Sequence, residues 1–208
     1  MTTHNHTIPD RSPPGSIRTA PSAGHQDGGV KCATGASSKI RGRDNITIGT
    51  WNTRTLRAAG KLQELTHEMD RYRWNILRFC EMRWMDFGES TTEEGHKVFF
   101  SGKEDKHEHG VGFLVHKDIA NTVMGCRPVS SRLITIRLRA VPFNITIVQT
   151  YDPASDYDDN EREEFHDQLQ NVIDQAPKKD ILVMQGDNAK VGKDACENWQ
   201  GICGLFCK

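Results

Sequence analysis

Residues 46–81 read ITIGTWNTRTLRAAGKLQELTHEMDRYRWNILRFCE, and three patterns succeed one another within them. From Ile46 to Trp51 apolar and small polar side chains alternate, the period of a half-buried strand. From residue 58 to residue 72 the period lengthens. Leu62, Leu65, Met69 and Tyr72 recur at helical spacing, which predicts an amphipathic helix. From Asn75 to Cys80 a short apolar run predicts a second strand, closed by Glu81. The order β-α-β points to an α/β layered fold.

Working outward, Lys97 to Ser101 and Val111 to His116 read as strands on either side of a charged, glycine-bounded turn from Gly102 to Gly110. Leu133 to Leu138 and Asn144 to Thr150 alternate again. They predict an antiparallel pair with Ala140 to Pro142 in the turn. Asn160 to Gln175 reads as an acidic helix entered through Asp158 or Asp159 as its cap. Ile181 to Gln185 is the last clear strand. The sum is an α/β sandwich with a mixed sheet and no internal repeat.

Composition bounds the function. The chain has 208 residues, 27 basic and 28 acidic, for a net charge of −1. That balance argues against coating nucleic acid through bulk charge, though a local basic groove remains open. No apolar run is long enough for a membrane span, and the N-terminus carries no signal-peptide pattern. The charge is uneven. Residues 1–43 hold Arg11, Arg18, Lys31, Lys39, Arg41 and Arg43 against Asp10 and Asp27, with four of the eight prolines and six of the eighteen glycines. Such a segment cannot bury enough surface to offset its ordering entropy, so it reads as a disordered basic tail. The domain is expected over residues 46–192, and residues 193–208 read as a divergent tail. Of six cysteines, Cys196, Cys203 and Cys207 crowd that tail at a spacing that is not a standard zinc arrangement. Reduced thiols are the default expectation.

Four predicted strands end in polar residues of one chemical kind: Trp51-Asn52, Glu81, Tyr151 and Gly186-Asp187-Asn188. Strand ends are where layered α/β folds place their sites. Carboxylate and amide oxygens suit a hard cation such as Mg²⁺, which binds through one or two carboxylates, waters and substrate phosphates. Amides and a phenol can donate to non-bridging phosphate oxygens. Together they point to phosphoester hydrolysis. Taken singly, each has a structural explanation: a turn residue at Asn52, a surface carboxylate at Glu81, a half-buried aromatic at Tyr151, a turn at Asp187-Asn188.

Many spaced words carry a resemblance: Ile48-Gly49-Thr50-Trp51-Asn52-Thr53-Arg54, Glu81-Met82-Arg83-Trp84, Gly110-Val111-Gly112, Ser130-Ser131-Arg132-Leu133-Ile134, Asn144-Ile145-Thr146-Ile147-Val148-Gln149 with Tyr151, and Gly186-Asp187-Asn188-Ala189-Lys190. In this order they resemble the endonuclease/exonuclease/phosphatase superfamily over roughly residues 46–192, nearest to endonuclease domains of LINE-type retrotransposons and to proteins of the craniofacial development protein 2 kind. The resemblance implies a four-layer α/β sandwich, Mg²⁺ or Mn²⁺ as cofactor, and hydrolysis of phosphodiesters in nucleic acid, DNA first. By position, Glu81 resembles the metal-binding glutamate and Asn52 the asparagine near metal and phosphate. Tyr151 resembles the phosphate-contacting tyrosine, Asp187 the aspartate that serves the metal site and the attacking water, and Asn188 the asparagine that stabilises the oxyanion. A nuclear, non-membrane protein is the matching expectation.

Two departures modify that expectation. The family word is Gly-Asp-x-Asn, whereas Asp187 and Asn188 are adjacent. Side chains alternate in an extended segment, so adjacency turns one of the pair away from the other. The family domain also continues into further strands and a Ser-Asp-His word, and no histidine follows His166 in this sequence. The expected fold is therefore incomplete at the C-terminus and the expected activity impaired. A non-catalytic binding module and a phosphatase of the same superfamily are the alternatives.

Overall fold

The computed structural model describes residues 39–53, 56–58, 60–153 and 158–187. The predicted tails, with Cys32, Cys196, Cys203 and Cys207, lie almost wholly outside these residues. In chain order the elements are β1 (Ile40–Arg41), β2 (Ile48–Asn52), α1 (Lys61–Met69), β3 (Ile76–Cys80), β4 (Phe87–Thr91), β5 (Lys97–Ser101), β6 (Val111–Val115), α2 (Lys117–Ala120), β7 (Val123–Ser130), β8 (Leu133–Leu138), β9 (Ala140–Val141), β10 (Ile145–Tyr151), α3 (Asp159–Gln175) and β11 (Ile181–Asp187).

Two sheets form the body: a five-stranded sheet in the order β2-β3-β6-β5-β4 and a four-stranded sheet in the order β11-β10-β8-β7. Each is mixed. In the first, β2 and β3 run parallel while β3 and β6 run antiparallel. In the second, β10 is parallel to β11 and antiparallel to β8, which bears out the predicted hairpin.

The inner faces meet in one core. Ile76, Phe99, Val111, Phe113 and Val115 of the first sheet pack with Cys126, Ile134, Ile136, Leu138 and Ile147 of the second. Period-2 alternation sends the other residues outward. Leu77, Phe79, Val98, Phe100 and Leu114 are covered by Leu65 and Met69 of α1. Val148, Leu133, Leu182 and Met184 are covered by Leu169 and Val172 of α3. The result is helix, sheet, sheet, helix, the four-layer α/β sandwich that the resemblance implied. Each fully buried aliphatic side chain stabilises such a core by about 1.5–3 kcal/mol. No helix among the described residues is long and apolar enough to cross a membrane.

The differences from expectation have local causes. The predicted helix 58–72 shortens to Lys61–Met69, entered from Gly60 at φ 84, and Tyr72 is left exposed. β4 escaped notice because it is an edge strand of mostly small and polar residues. β7 escaped because Gly125 and Pro128 interrupt its pattern, and register shifts fall at those residues. Ile40, assigned to the tail, is buried and pairs with Ala140, so the ordered chain begins ahead of residue 46. The predicted turn at Ala140 to Pro142 supplies that partner strand. Gly112 is fixed by packing: a Cβ there would stand 2.5 Å from Met82 Sδ and 2.6 Å from the Phe99 carbonyl oxygen.

Candidate active site

The ends of β2, β3, β10 and β11 converge. Asn52 is in register with Cys80, the residue before Glu81, and Tyr151 is in register with Asp187. A side-chain bond joins the two sheets there: the Tyr151 hydroxyl donates to Glu81 Oε1 at 2.9 Å. Asn52, Glu81, Tyr151 and Asp187 are thus brought to one end of the sandwich. The structure describes Asn52 and Asp187 by their backbone, and Asn188 lies outside the described residues.

Glu81 is presented by an unusual turn. Its φ is 59°, in the left-handed region that a residue with a Cβ enters at a cost of about 1 kcal/mol or more. The turn is held from the β6 side, where Met82 N–H donates to the Gly110 carbonyl at 3.1 Å and Arg83 N–H to the His109 carbonyl at 2.8 Å. Arg83 and His109 share the left-handed conformation, each at φ 57°. Gly110, at φ 91°, lets the two turns touch, because a Cβ there would meet Arg83 N at 3.1 Å. Thr53 closes the other flank, its Oγ1 donating to the Cys80 carbonyl at 2.9 Å.

Two residues outside the expected set join this end. Arg132, at the β7–β8 turn, has its Cζ 5.5 Å from the centroid of the Tyr151 ring. Its Nη1 donates to the Tyr151 carbonyl at 3.4 Å, and its Nη2 lies 3.3 Å from His109 Nε2. Guanidinium only donates, so His109 Nε2 is the acceptor and the imidazole is neutral. Its environment enforces that state: burial first, then the charges of Arg132 and Lys103, push the His109 pKa down to about 4. Nearby, burial pushes the Asp152 carboxyl up against the opposing pull of His166, Arg162 and Arg132. A surface cleft of about 220 Å³ opens beside the site, with Lys103, His109, Ser131 and Arg132 on one wall and Glu161, Glu164 and Phe165 of α3 on the other. A larger hollow of about 290 Å³, between Cys126, Arg137 and Pro177, belongs to the opposite end of the second sheet.

The sequence carried a faint signal for both residues. Arg132 follows Ser130-Ser131 just before a strand, and His109 immediately precedes Gly110-Val111-Gly112. Their distance in sequence from Glu81 and Tyr151 concealed that they share a site. Among the described residues no three His, Cys, Asp or Glu side chains stand close enough to form a metal cluster. The donor set that can be weighed is Glu81 alone. A carboxylate with one oxygen on Tyr151 retains its other oxygen for a hard cation, which fits a weak, water-rich Mg²⁺ site.

Comparison with known proteins gives a matching picture. No family model matches the chain. Craniofacial development protein 2 of Bos taurus is 34% identical over 175 residues, covering 83% of this chain and 29% of that protein. The Tragulus javanicus protein of the same name is 34% identical over 176 residues, covering 84% and 30%. The chain thus spans less than a third of the curated relatives it matches. Among solved structures, a humanized D. rerio TDP2 with 14 mutations superposes at a TM-score of 0.53 and 12% identity, over 76% of this chain and 72% of that one. The endonuclease domain of TRAS1, a telomere-specific non-LTR retrotransposon, is similar at a TM-score of 0.43 and 17% identity, over 69% and 58%. An endonuclease/exonuclease/phosphatase family protein from Leptotrichia buccalis is similar at 0.44 and 12%, over 69% and 66%.

Proposed function

We propose, from the premise that this chain is a homologue of craniofacial development protein 2 with the endonuclease/exonuclease/phosphatase fold, that it hydrolyses phosphodiesters in nucleic acid, DNA in the first place, with Mg²⁺ or Mn²⁺. The observation that carries this reading is the bond from Tyr151 to Glu81 at the point where the ends of four strands meet. Glu81 is the metal carboxylate in this reading, assisted by Asn52 and Asp187. The bound ion supplies positive charge for the phosphoryl oxygens and lowers the pKa of a water.

The chain's own residues do the rest. Tyr151 fixes the Glu81 carboxylate and, with its backbone tied to Arg132, faces the phosphate. Arg132 supplies a guanidinium whose fork geometry suits phosphate oxygens. Neutral His109 holds that guanidinium without adding a charge of its own. Asp187 orients the attacking water, and Asn188 donates to the oxyanion. Work on nucleic acid would place the protein in the nucleus.

A second reading, a module that binds nucleic acid without cleaving it, is favoured by the direct succession of Asp187 and Asn188. Losing one oxyanion donor costs about 10²–10³ in rate. Supercoiled-plasmid nicking by the purified chain separates the two. Nicking that requires Mg²⁺, stops with EDTA and falls at least about 100-fold in Glu81→Gln is the expected result. Plasmid binding by a folded chain with no nicking selects the second reading.

A further inference from the structure

Directly beneath the site lies a polar layer that a sandwich core has no ordinary use for. In the first sheet Thr50 is in register with Arg78, and in the second Gln149 is in register with Gln185. Two residues further along the same strands come Asn52 with Cys80 and Tyr151 with Asp187. Arg78 is only 5% exposed and Gln149 is fully buried. A guanidinium at such depth is costly unless its hydrogens are used.

Arg78 reaches across both sheets. Its Nε donates to Thr50 Oγ1 at 2.7 Å, and its Nη2 donates to the Gly186 carbonyl at 3.0 Å. Gly186 is the residue before Asp187. Gln149 ties the same level from the other side, its amide nitrogen donating to the Phe79 carbonyl and lying 3.4 Å from Cys80 Sγ. Three buried side-chain atoms lack a hydrogen-bond partner among the described residues: Arg78 Nη1, Gln149 Oε1 and Gln185 Oε1. Their chemistry is complementary. Nη1 carries two hydrogens, and each amide oxygen accepts.

We propose that Arg78 is the positioning residue of the active site, the common donor that fixes the ends of β2, β3 and β11 relative to one another. It acts through Thr50 on the strand that ends in Asn52, through its own strand on Glu81, and through Gly186 on Asp187. Arg78 Nη1 and the amide oxygens of Gln149 and Gln185 share this level without a hydrogen bond of their own among the described residues. The inference rests on the hydrolytic reading above for the purpose of the positioning, and on the register and the bonds to Thr50 and Gly186 for its existence.

Amide hydrogen exchange along β11 tests it. In Arg78→Met, exchange over residues 185–187 is expected to speed up about tenfold, while residues 181–183 of the same strand change less than about twofold. Thr50→Val, which keeps the shape and removes one acceptor, is expected to give the same pattern at about threefold. Arg78→Lys, which keeps one donor, is expected to restore part of the protection. In plasmid nicking the corresponding loss appears in kcat with KM unchanged. Exchange that rises uniformly along β11, or not at all, overturns the proposal, as does a failure of Arg78→Lys to exceed Arg78→Met. Should Arg78→Met not fold, Thr50→Val and Arg78→Lys against the parent chain give the same decision. A parent chain that never nicks plasmid sinks the hydrolytic reading and leaves exchange to decide the role of Arg78.

Discussion

The two ends of the sandwich are built on opposite terms. At the end where β2, β3, β10 and β11 begin, polar groups are matched. Asn75 Oδ1 accepts from Thr47 N–H at 2.9 Å, and its carbonyl accepts from His116 N–H at 2.8 Å. Buried His96 accepts from Lys117 N–H at 3.1 Å and lies against Trp74, ring centroids 5.0 Å apart. Asp180, its side chain 3% exposed, takes two bonds from Arg137 and one from Thr146. At the end where those strands finish, the described residues with left-handed backbone that are not glycine gather: Glu81, Arg83, Asp86 and His109. The buried polar atoms without partners lie under the same end. Strain and imperfect satisfaction persist where function holds them in place, and the matched end supplies the stability that tolerates them.

Acid titration breaks the comparison most strongly, because each end holds one imidazole neutral. Burial, then His116, lowers the pKa of His96, and burial, then Arg132, lowers that of His109 to about 4. The unfolded chain takes up these protons near pH 6.5 and the folded chain does not. The contribution of these two groups is therefore fully present above about pH 6.5 and is lost as pH drops toward 4. Urea unfolding of His109→Gln and His96→Gln across that range should show a shallower slope in each, with His109→Gln removing the larger share. Slopes identical to the parent would mean that neither end holds its imidazole as described.

Asp180→Asn tests the matched end alone. Removing the charge from a buried acceptor of three bonds is expected to cost about 2 kcal/mol in urea unfolding, while leaving plasmid nicking intact. A cost below about 0.5 kcal/mol would show that this end does not anchor the fold.

Glu81→Gly sharpens the other side. Glycine accepts a φ of 59° freely, so stability is expected to rise by about 1 kcal/mol in thermal or urea unfolding although the bond to Tyr151 is lost. Nicking is expected to vanish in the same variant. A fall in stability would show that Glu81 is held by favourable contacts and carries no strain.

Much of this molecule was legible before its structure. Alternation at Ile46 to Trp51 and Asn144 to Thr150 located β2 and β10, and helical spacing at Leu62, Leu65 and Met69 located α1, because burial of one face imposes those periods. Where edge exposure or a proline blurred the period, at Phe87–Thr91 and Val123–Ser130, the strands were invisible. The site was half legible. Glu81 and Tyr151 could be named as strand-end residues, and their side chains do meet.

What the sequence determined by itself was the set of strands, their polar ends and the chemical kind of the residues there, since those follow from local period and residue type. What only the tertiary structure decided was company and conformation. The left-handed turn at Glu81 is held because the residues just ahead of β6, His109 and Gly110, offer their carbonyls to the Arg83 and Met82 N–H groups that follow it. Arg132 and His109 enter the site because two turns distant in sequence fold over one tyrosine. Arg78, an intruder in an apolar strand, finds Thr50 on its neighbouring strand but gains the Gly186 carbonyl only when the second sheet closes over it. A non-local contact costs chain entropy that no short stretch encodes, so its outcome is settled by the whole packing and not by the residues that make it.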